Sequence, residues 1–353
     1  MNTSRVTRGV HIIGAGLIGT SLGLALRHAG IPTSLEDANQ KALHLAHSLG
    51  AGETHALRDP ACVVVAVPPA TTTEVVLAAL QNFPDAVVTD LASVKAPVAD
   101  TVARSTHAHR YVGSHPMAGR EISGAQGAQG DLFRARSWVV CAGAGSPKSV
   151  DVVVGIAEAV GADVVHMEAQ AHDHAVAYVS HVPQLLSSAL ASNMEKVSAE
   201  HLPLAGAGLR DMTRLASSDA ALWKEIAGLN VEDVRAALGD IITTLTRIHD
   251  AHDIGPAVEE LVAHGAQEVA RIPGKHGGGR DMWAEITVIV PDTGGQLLKL
   301  LTAIDEANVN IEDLAIEHSP QQPVGLVRVS VQEETAAALV THLTTQGWNV
   351  VEA

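Results

Sequence analysis

The sequence predicts an α/β protein: a doubly wound parallel sheet, then an all-helical region, then a small βαββαβ unit. Three observations predict it. Short Val/Ile-rich runs alternate with helical patterns from Gly9 to about Glu168, and such alternation builds a parallel sheet from βαβ units. The β pattern then stops for about a hundred residues, and strand and helix patterns return only after a glycine-rich stretch. With 353 residues, 46% of them hydrophobic and 18% charged, the chain is long enough for several domains and can bury a sizeable core. Aromatic residues are only 2%, so Ala, Val, Leu and Ile must fill that core.

In the first region, apolar runs at 10–13, 33–36, 63–67, 87–90, 111–113 and 138–141 read as strands. Their near-continuous β-branched content is what burial on both sheet faces demands. Helical patterns fall between them at 17–29, 40–49, 72–80 and 94–103. This gives a first domain over 1–168. A second, helical domain over 169–272 begins with an amphipathic stretch carrying Val176, Val179, Val182, Leu186 and Leu190 at helical spacing. Pro183 inside that stretch predicts a kink near Val179. Asn230, with Glu232 and Asp233 just behind it, reads as a helix start. So much Ala and Leu must bury its apolar faces, against the sheet or, as favoured here, in a homodimer. Residues 273–282, with Gly277-Gly278-Gly279, read as a linker. The last domain, 283–353, is expected as strand 284–290, helix 294–307, strands 310–317 and 325–331, helix 333–345 and strand 348–351, a ferredoxin-like order.

Charge and cysteine content exclude several classes. Lys and Arg number 23 against 39 Asp and Glu, a formal charge of −16, which repels phosphate backbones and argues against nucleic acid as a partner. No apolar stretch approaches the roughly 20 residues needed to span a bilayer, so no membrane partner is expected. Cys62 and Cys141 both lie in apolar runs, which fits free thiols in a reducing, cytoplasmic setting. Residues 1–8 are polar and lead directly into a strand, without a signal-peptide core.

The sharpest motif is Gly14-Ala15-Gly16-Leu17-Ile18-Gly19, placed between the first strand and the first helix. In that context it reads as a dinucleotide turn of the Rossmann type. Gly14 permits the tight turn, Gly16 the approach of a pyrophosphate, and Gly19 close helix–strand packing, while the helix N-terminus with Leu17 and Ile18 offers free N–H groups. Asp37, at the end of the second strand, would accept the ribose hydroxyls and repel a 2′-phosphate. That favours NAD; Arg27 and Lys41, close in sequence, keep NADP open. Val67-Pro68 after the third strand would wall the nucleotide site, although X-Pro-Pro also simply ends strands, and Thr71 would cap the next helix in either case.

Three polar clusters interrupt the apolar elements: Asp90-Leu91-Ala92-Ser93-Val94-Lys95, where Ser93 would cap a helix starting at Val94; Gly113-Ser114-His115-Pro116-Met117-Ala118-Gly119-Arg120-Glu121; and Ser180-His181-Val182-Pro183-Gln184 with Arg210-Asp211-Met212-Thr213-Arg214 and Trp223 behind it. A lone histidine is more often structural than catalytic. His115, however, falls in what reads as a tight turn after a strand, where catalytic groups over a cofactor belong. Nineteen histidines raise the question of a metal, but His172-Asp173-His174 and His249-Asp250-Ala251-His252 lack further ligands at regular spacing, and none is expected.

These motifs together resemble the prephenate/arogenate dehydrogenase family of tyrosine biosynthesis, and the resemblance covers nearly the whole chain. It implies NAD(P)-dependent oxidative decarboxylation of prephenate to 4-hydroxyphenylpyruvate. A neutral His115 would take the ring hydroxyl's proton, and Ser93 would hydrogen-bond that hydroxyl or the imidazole. Prephenate is a dianion, and the resemblance makes Arg214 a bidentate carboxylate clamp, with His181 as a second donor and Asp211 and Trp223 around them. The bland alternatives are an Arg214–Asp211 surface pair and a core Trp223. Arg120 and Gln184 depart from the family's frequent Thr and His, and both lie where prephenate and arogenate side chains would be told apart. The last domain is similar to an ACT domain, which implies tyrosine as an effector near Asp292, Gly294 and Gly295. Arogenate dehydrogenase is the nearest alternative, a non-catalytic NAD and amino-acid sensor a more distant one, and a β-hydroxyacid or imine reductase on the same scaffold lacks the His-Pro-Met-Ala-Gly loop.

Overall fold

The computed structural model describes residues 8–55, 57–120, 122–272, 283–318 and 324–351. The expected linker, 273–282, and Glu121 lie outside the described residues. Two units are present, dividing between Ile242 and Thr243.

The first unit is built on a seven-stranded sheet: β1 (Val10–Ile13), β2 (Thr33–Glu36), β3 (Cys62–Val65), β4 (Val87–Asp90), β5 (Tyr111–Pro116), β6 (Ser137–Cys141) and β7 (Asp163–His166), in spatial order β2-β1-β3-β4-β5-β6-β7. Around it lie α1 (Leu17–His28), α2 (Gln40–Ser48), α3 (Pro69–Asn82), α4 (Ala96–Val102) and α5 (Pro147–Ala159). β3 and β4 are buried along their whole length, as their unbroken apolar runs require. One apolar cluster, with Ile12, Leu22, Val64, Phe133 and Trp138, and a second, with Val63, Val76, Leu80 and Val88, form the core.

Several expectations shift. The sheet is not all parallel, because β5 and β6 pair antiparallel, and β7 is a strand that the apolar runs do not reveal, since it is largely exposed. α3 starts at Pro69, the favoured residue for a first helical position, which leaves Thr71 inside the helix with its hydroxyl donating to the Pro68 carbonyl. α4 starts at Ala96 rather than Val94, so Ser93 is not its cap. β5 runs through His115 to Pro116, so His115 is a strand residue and not part of a turn.

The helical part consists of α6 (Ala169–Val176), a π-helical turn (Ala177–His181), α7 (Val182–Ser192), α8 (Ala207–Thr213), α9 (Ala220–Leu229) and α10 (Val231–His249). The predicted kink is therefore a π turn, which widens the helix by a residue. Its consequence is visible in the packing: Ala177 and Val182, five apart, are buried together against Val234 and Ala237 of α10, whereas Val179 is 69% exposed. The i, i+3 stripe expected through Val179 is broken there.

The second unit holds α11 (Ile254–Val269), β8 (Trp283–Pro291), α12 (Gln296–Glu306), β9 (Asp313–His318), β10 (Val324–Gln332), α13 (Glu333–Thr345) and β11 (Asn349–Val351). Its antiparallel sheet has the order β11-β8-β10-β9, the ferredoxin-like arrangement expected. Alternate residues Ile286, Val288, Val290 and Val327, Val329, Val331 face Leu300, Ile304, Leu339 and Leu343, the period-2 signature of a sheet covered on one face.

The β1–α1 junction depends on two glycines. Gly14 has φ +114°, and a Cβ there would meet the Ala66 carbonyl oxygen at 2.2 Å; a Cβ on Gly19 would meet the Gly14 carbonyl oxygen at 1.9 Å. Gly14→Ala is expected to lose about 3–5 kcal/mol of stability, because backbone strain and overpacking combine. Urea denaturation checks this, with Gly16→Ala, whose Cβ meets nothing within 4 Å, as the unaffected control.

Candidate active site

The nucleotide crevice lies where the strand order reverses between β1 and β3, outside their C-terminal ends, the expected position for a ligand in an open α/β sheet. Gly14 sits against Ala66 and Val67, so the Val67-Pro68 turn forms the wall beside the glycine turn. Gly16 faces open space, the room a pyrophosphate needs, and it immediately precedes α1, where the amides of Leu17, Ile18 and Gly19 start the helix. The Asp37 carboxylate accepts hydrogen bonds from Ala15 N and Asn39 N, both at 2.6 Å, and so stands at the mouth of the turn. Arg27 is in the last turn of α1, about 16 Å along the helix from Gly16, and its guanidinium lies 3.5 Å from Glu53. Its partner in this structure is an acid, and the Asp37 carboxylate itself repels a 2′-phosphate. These residues fit a dinucleotide without one.

The chemical centre forms because β5 outruns β4. Asp90, the last residue of β4, pairs with Gly113, and β5 continues for three further residues held by antiparallel β6, His115 opposite Val139. His115 thus stands beyond the end of β4. Its Nδ1 is 2.9 Å from His172 Nε2, and His172 Nδ1 is 2.8 Å from Asp173 Oδ1. The same carboxylate accepts from Lys95 N at 2.7 Å and Ala96 N at 2.8 Å, so the N-terminus of α4 is capped by an acid from α6.

A carboxylate only accepts, so the hydrogen of a neutral His172 is on Nδ1 and its Nε2 accepts from His115 Nδ1–H. His115 Nε2 is left with its lone pair and no hydrogen. Burial first, and then electrostatic coupling to His172, Lys95 and His181, hold the His115 pKa well below its ordinary 6.5. The ring keeps some exposure.

His181, in the π turn, is buried, and desolvation pulls its pKa down to about 4, against the opposing pull of Asp173. Asn230 Nδ2 donates to the Asp173 carbonyl at 2.8 Å and lies 3.3 Å from His181 Nδ1. That backbone carbonyl can only accept, which fixes the amide orientation and makes His181 a neutral Nε2–H donor. Trp223 packs its ring edge-on to His181 with centroids 6.0 Å apart. Gln184, one turn on, is also buried and donates to the Leu215 carbonyl at 2.8 Å, which ties α7 to the segment beginning at Arg214. Arg214 and Asp211 are exposed. Arg120 is exposed as well, and its guanidinium donates to the Gly127 carbonyl at 2.8 Å. Ser93 is half-buried in the loop between β4 and α4. The structure therefore brings His115 into one cluster with His181 and Trp223 through His172, Asp173 and Asn230, while Arg120 holds its own loop. His172, Asp173 and Asn230 are the residues that sequence reasoning missed. The adjacent His-Asp pair was visible, but only as a metal question, and among the described residues no group of three metal-ligating side chains exists.

Residues 22–166 match the family described as Prephenate dehydrogenase, nucleotide-binding domain, and residues 168–264 match Prephenate dehydrogenase, dimerization domain. The chain belongs to the prephenate dehydrogenase family. Its relatives include a "probable prephenate dehydrogenase" of Streptomyces niveus, 30% identical over 96% of this chain and 98% of that one. The prephenate dehydrogenase of Bacillus subtilis is 25% identical over 92% of each. Among solved structures, that of prephenate dehydrogenase from A. aeolicus with hydroxyphenyl propionate and NAD+ is 28% identical, covers 74% of this chain and 95% of that one, and has a TM-score of 0.65. This chain is an NAD-dependent oxidoreductase, and its glycine turn and Asp37 fit that cofactor.

Next to His115 lies a buried ionic platform. Lys95 and Asp90 are fully buried and paired, and the Lys95 ammonium also donates to the Ser114 carbonyl at 2.8 Å. Tyr111 OH donates to the other Asp90 oxygen at 2.7 Å, and Ala92 N to the first at 3.0 Å. Burial and the Asp90 charge push the Tyr111 pKa well up. The platform joins β4, β5 and the Ser93 loop. Lys95→Met is expected to cost about 3–5 kcal/mol, because it leaves the Asp90 carboxylate buried without its cation. Adding Asp90→Asn should recover part of the loss, which a double-mutant cycle by urea denaturation would measure.

Proposed function

We propose that this chain oxidises and decarboxylates prephenate to 4-hydroxyphenylpyruvate, with His115 Nε2 as the proton acceptor for the ring hydroxyl. The observation that carries the assignment is the 2.9 Å approach of His115 Nδ1 to His172 Nε2; with the His172 hydrogen directed to Asp173, it leaves the other nitrogen of His115 bare. NAD, held at the Gly14–Gly19 turn beside Asp37, would supply the hydride acceptor for the ring carbon that carries the hydroxyl. His115 takes the hydroxyl proton as the carbonyl forms. Loss of the ring carboxylate as carbon dioxide sends its electron pair into the ring, and His115 returns the proton to the phenolate oxygen, so protons balance. Ser93 orients the hydroxyl. His181 Nε2–H donates to a carboxylate, with Arg214 as the cationic clamp and Trp223 as the wall. Asp211, Gln184 and Arg120 shape the side-chain end of the pocket. Prephenate rather than arogenate is the substrate proposed.

We propose the division 1–168, 169–272 and 283–353 for nucleotide binding, substrate and dimer contacts, and regulation. The homodimer is supported by the apolar stripe Ile254, Val258, Val262 and Val269 on α11, exposed in the single chain. Cytoplasmic location is supported by two buried free thiols. A regulatory role for the second sheet, with tyrosine as effector, is supported by its ferredoxin-like order and by an open turn, where a Cβ on Gly294 or Gly295 would meet nothing within 4 Å and Asp292 is exposed.

His115→Asn is expected to lower kcat about 10²–10⁴-fold while NAD affinity stays near normal. NADH formation with prephenate and with arogenate in parallel measures it; undiminished turnover in the variant would refute the assignment. A base must be neutral, and the His115 pKa is lowered, so kcat/KM should stay level as pH falls to 6.5 and decline only below that. Millimolar tyrosine should inhibit the wild type, and Asp292→Ala should relieve the inhibition without changing uninhibited turnover.

A further inference from the structure

We infer that His172 and Asp173 are positioning residues that hold His115 as the Nδ1–H tautomer and aim its bare Nε2 at the substrate. The inference rests on His115 being the base. Three features of the geometry point to it. His115, His172 and Asp173 form an unbroken chain with links of 2.9 and 2.8 Å, and His172 and Asp173 are almost wholly buried, so water does not compete for either link. The two ring planes are inclined at 75° with centroids 5.1 Å apart, a separation at which the two nitrogens, 2.9 Å from each other, lie on the line between the rings. Asp173 is itself fixed by the Lys95 and Ala96 amides, the same turn that follows Ser93. One carboxylate thus sets both the tautomer of the base and the loop that holds the hydroxyl's other partner.

Without an acceptor at His172 Nε2, a neutral His115 is free to carry its hydrogen on Nε2, where it blocks proton abstraction. The charged or titratable groups around His115 are His172 and Asp173 of α6, His181 of the π turn, and Lys95 with its partner Asp90. Lys95 and Asp90 neutralise each other. His181, with a pKa of about 4, stays neutral through the working range. None of them supplies an alternative acceptor for His115 Nδ1–H.

The test uses the full-length protein and two variants. His172→Leu removes the acceptor at similar volume, whereas His172→Gln keeps an amide oxygen near the Nε2 position. His172→Leu should lower kcat about 10²-fold or more, with KM for prephenate and the dissociation constant for NAD within about threefold. His172→Gln should restore kcat to within about tenfold of wild type. ¹⁵N NMR of histidine-labelled protein, with His115 assigned by its absence in His115→Asn, should show His115 protonated on Nδ1 in the wild type and on Nε2 in His172→Leu. The wild-type spectrum decides the tautomer even where His172→Leu fails to fold. Wild-type His115 carrying its hydrogen on Nε2, or a folded His172→Leu with kcat within about threefold of wild type, would overturn the inference while leaving His115 as base. Full activity in His115→Asn would overturn both.

Discussion

The site depends on one buried carboxylate. Asp173 accepts from two main-chain amides at the start of α4 and from His172, and its own carbonyl accepts from Asn230. Hydrogen bonds to a charged acceptor are each worth about 1.5–3 kcal/mol, and the amides left unpaired in its absence would cost a similar amount. The seven-residue α4 has no side-chain cap of its own; Asp173 takes that part from another element. The helical segment is thereby fastened to the C-terminal edge of the sheet at the place where the chemistry is set. Stability and the geometry of the proposed site rest on the same atoms.

Two further constraints decide where His115 stands. Antiparallel β6 lets β5 extend beyond β4, and the Lys95–Asp90 pair keeps the end of β4, the β5 backbone and the Ser93 loop together without water. A buried ion pair is weak evidence for net stability. Here it fixes the relative positions of three chain segments, which an apolar substitute would do less specifically. The π turn acts in the same way on the other side, since its extra residue sets His181 next to Trp223 and Asn230 while Val179 turns to solvent.

Much of this was legible in the amino-acid sequence. β1, β2, β4 and α13 begin and end where hydrophobic periodicity places them, because their apolar patterns coincide with burial. The roles of Gly14, Gly16 and Gly19 followed from strand and helix context. What escaped has a physical reason in each case. β7 is mostly exposed, and its apolar run is only Val164-Val165. Strand direction leaves no mark on composition, so the antiparallel β5–β6 pair was hidden, and with it the extension that makes His115 a strand residue. The cap of α4 comes from 78 residues away, beyond any local rule, and Ser93 was the nearest local candidate. His172 and Asp173 were conspicuous as neighbours, but their partner His115 lies 57 residues earlier, and only the fold brings them together.

The most direct test of the role given to Asp173 is amide hydrogen exchange at Lys95 and Ala96, compared between the wild type and Asp173→Asn. The isosteric amide keeps one acceptor but turns a donor toward the second N–H, so the two amides cannot both be satisfied. Sheet-like protection is expected at both amides in the wild type, with loss of protection by at least about tenfold at one or both in the variant. Unchanged protection in a folded Asp173→Asn protein would contradict that role, and would mean that the N-terminus of α4, and with it the Ser93 loop, is held by something other than this carboxylate.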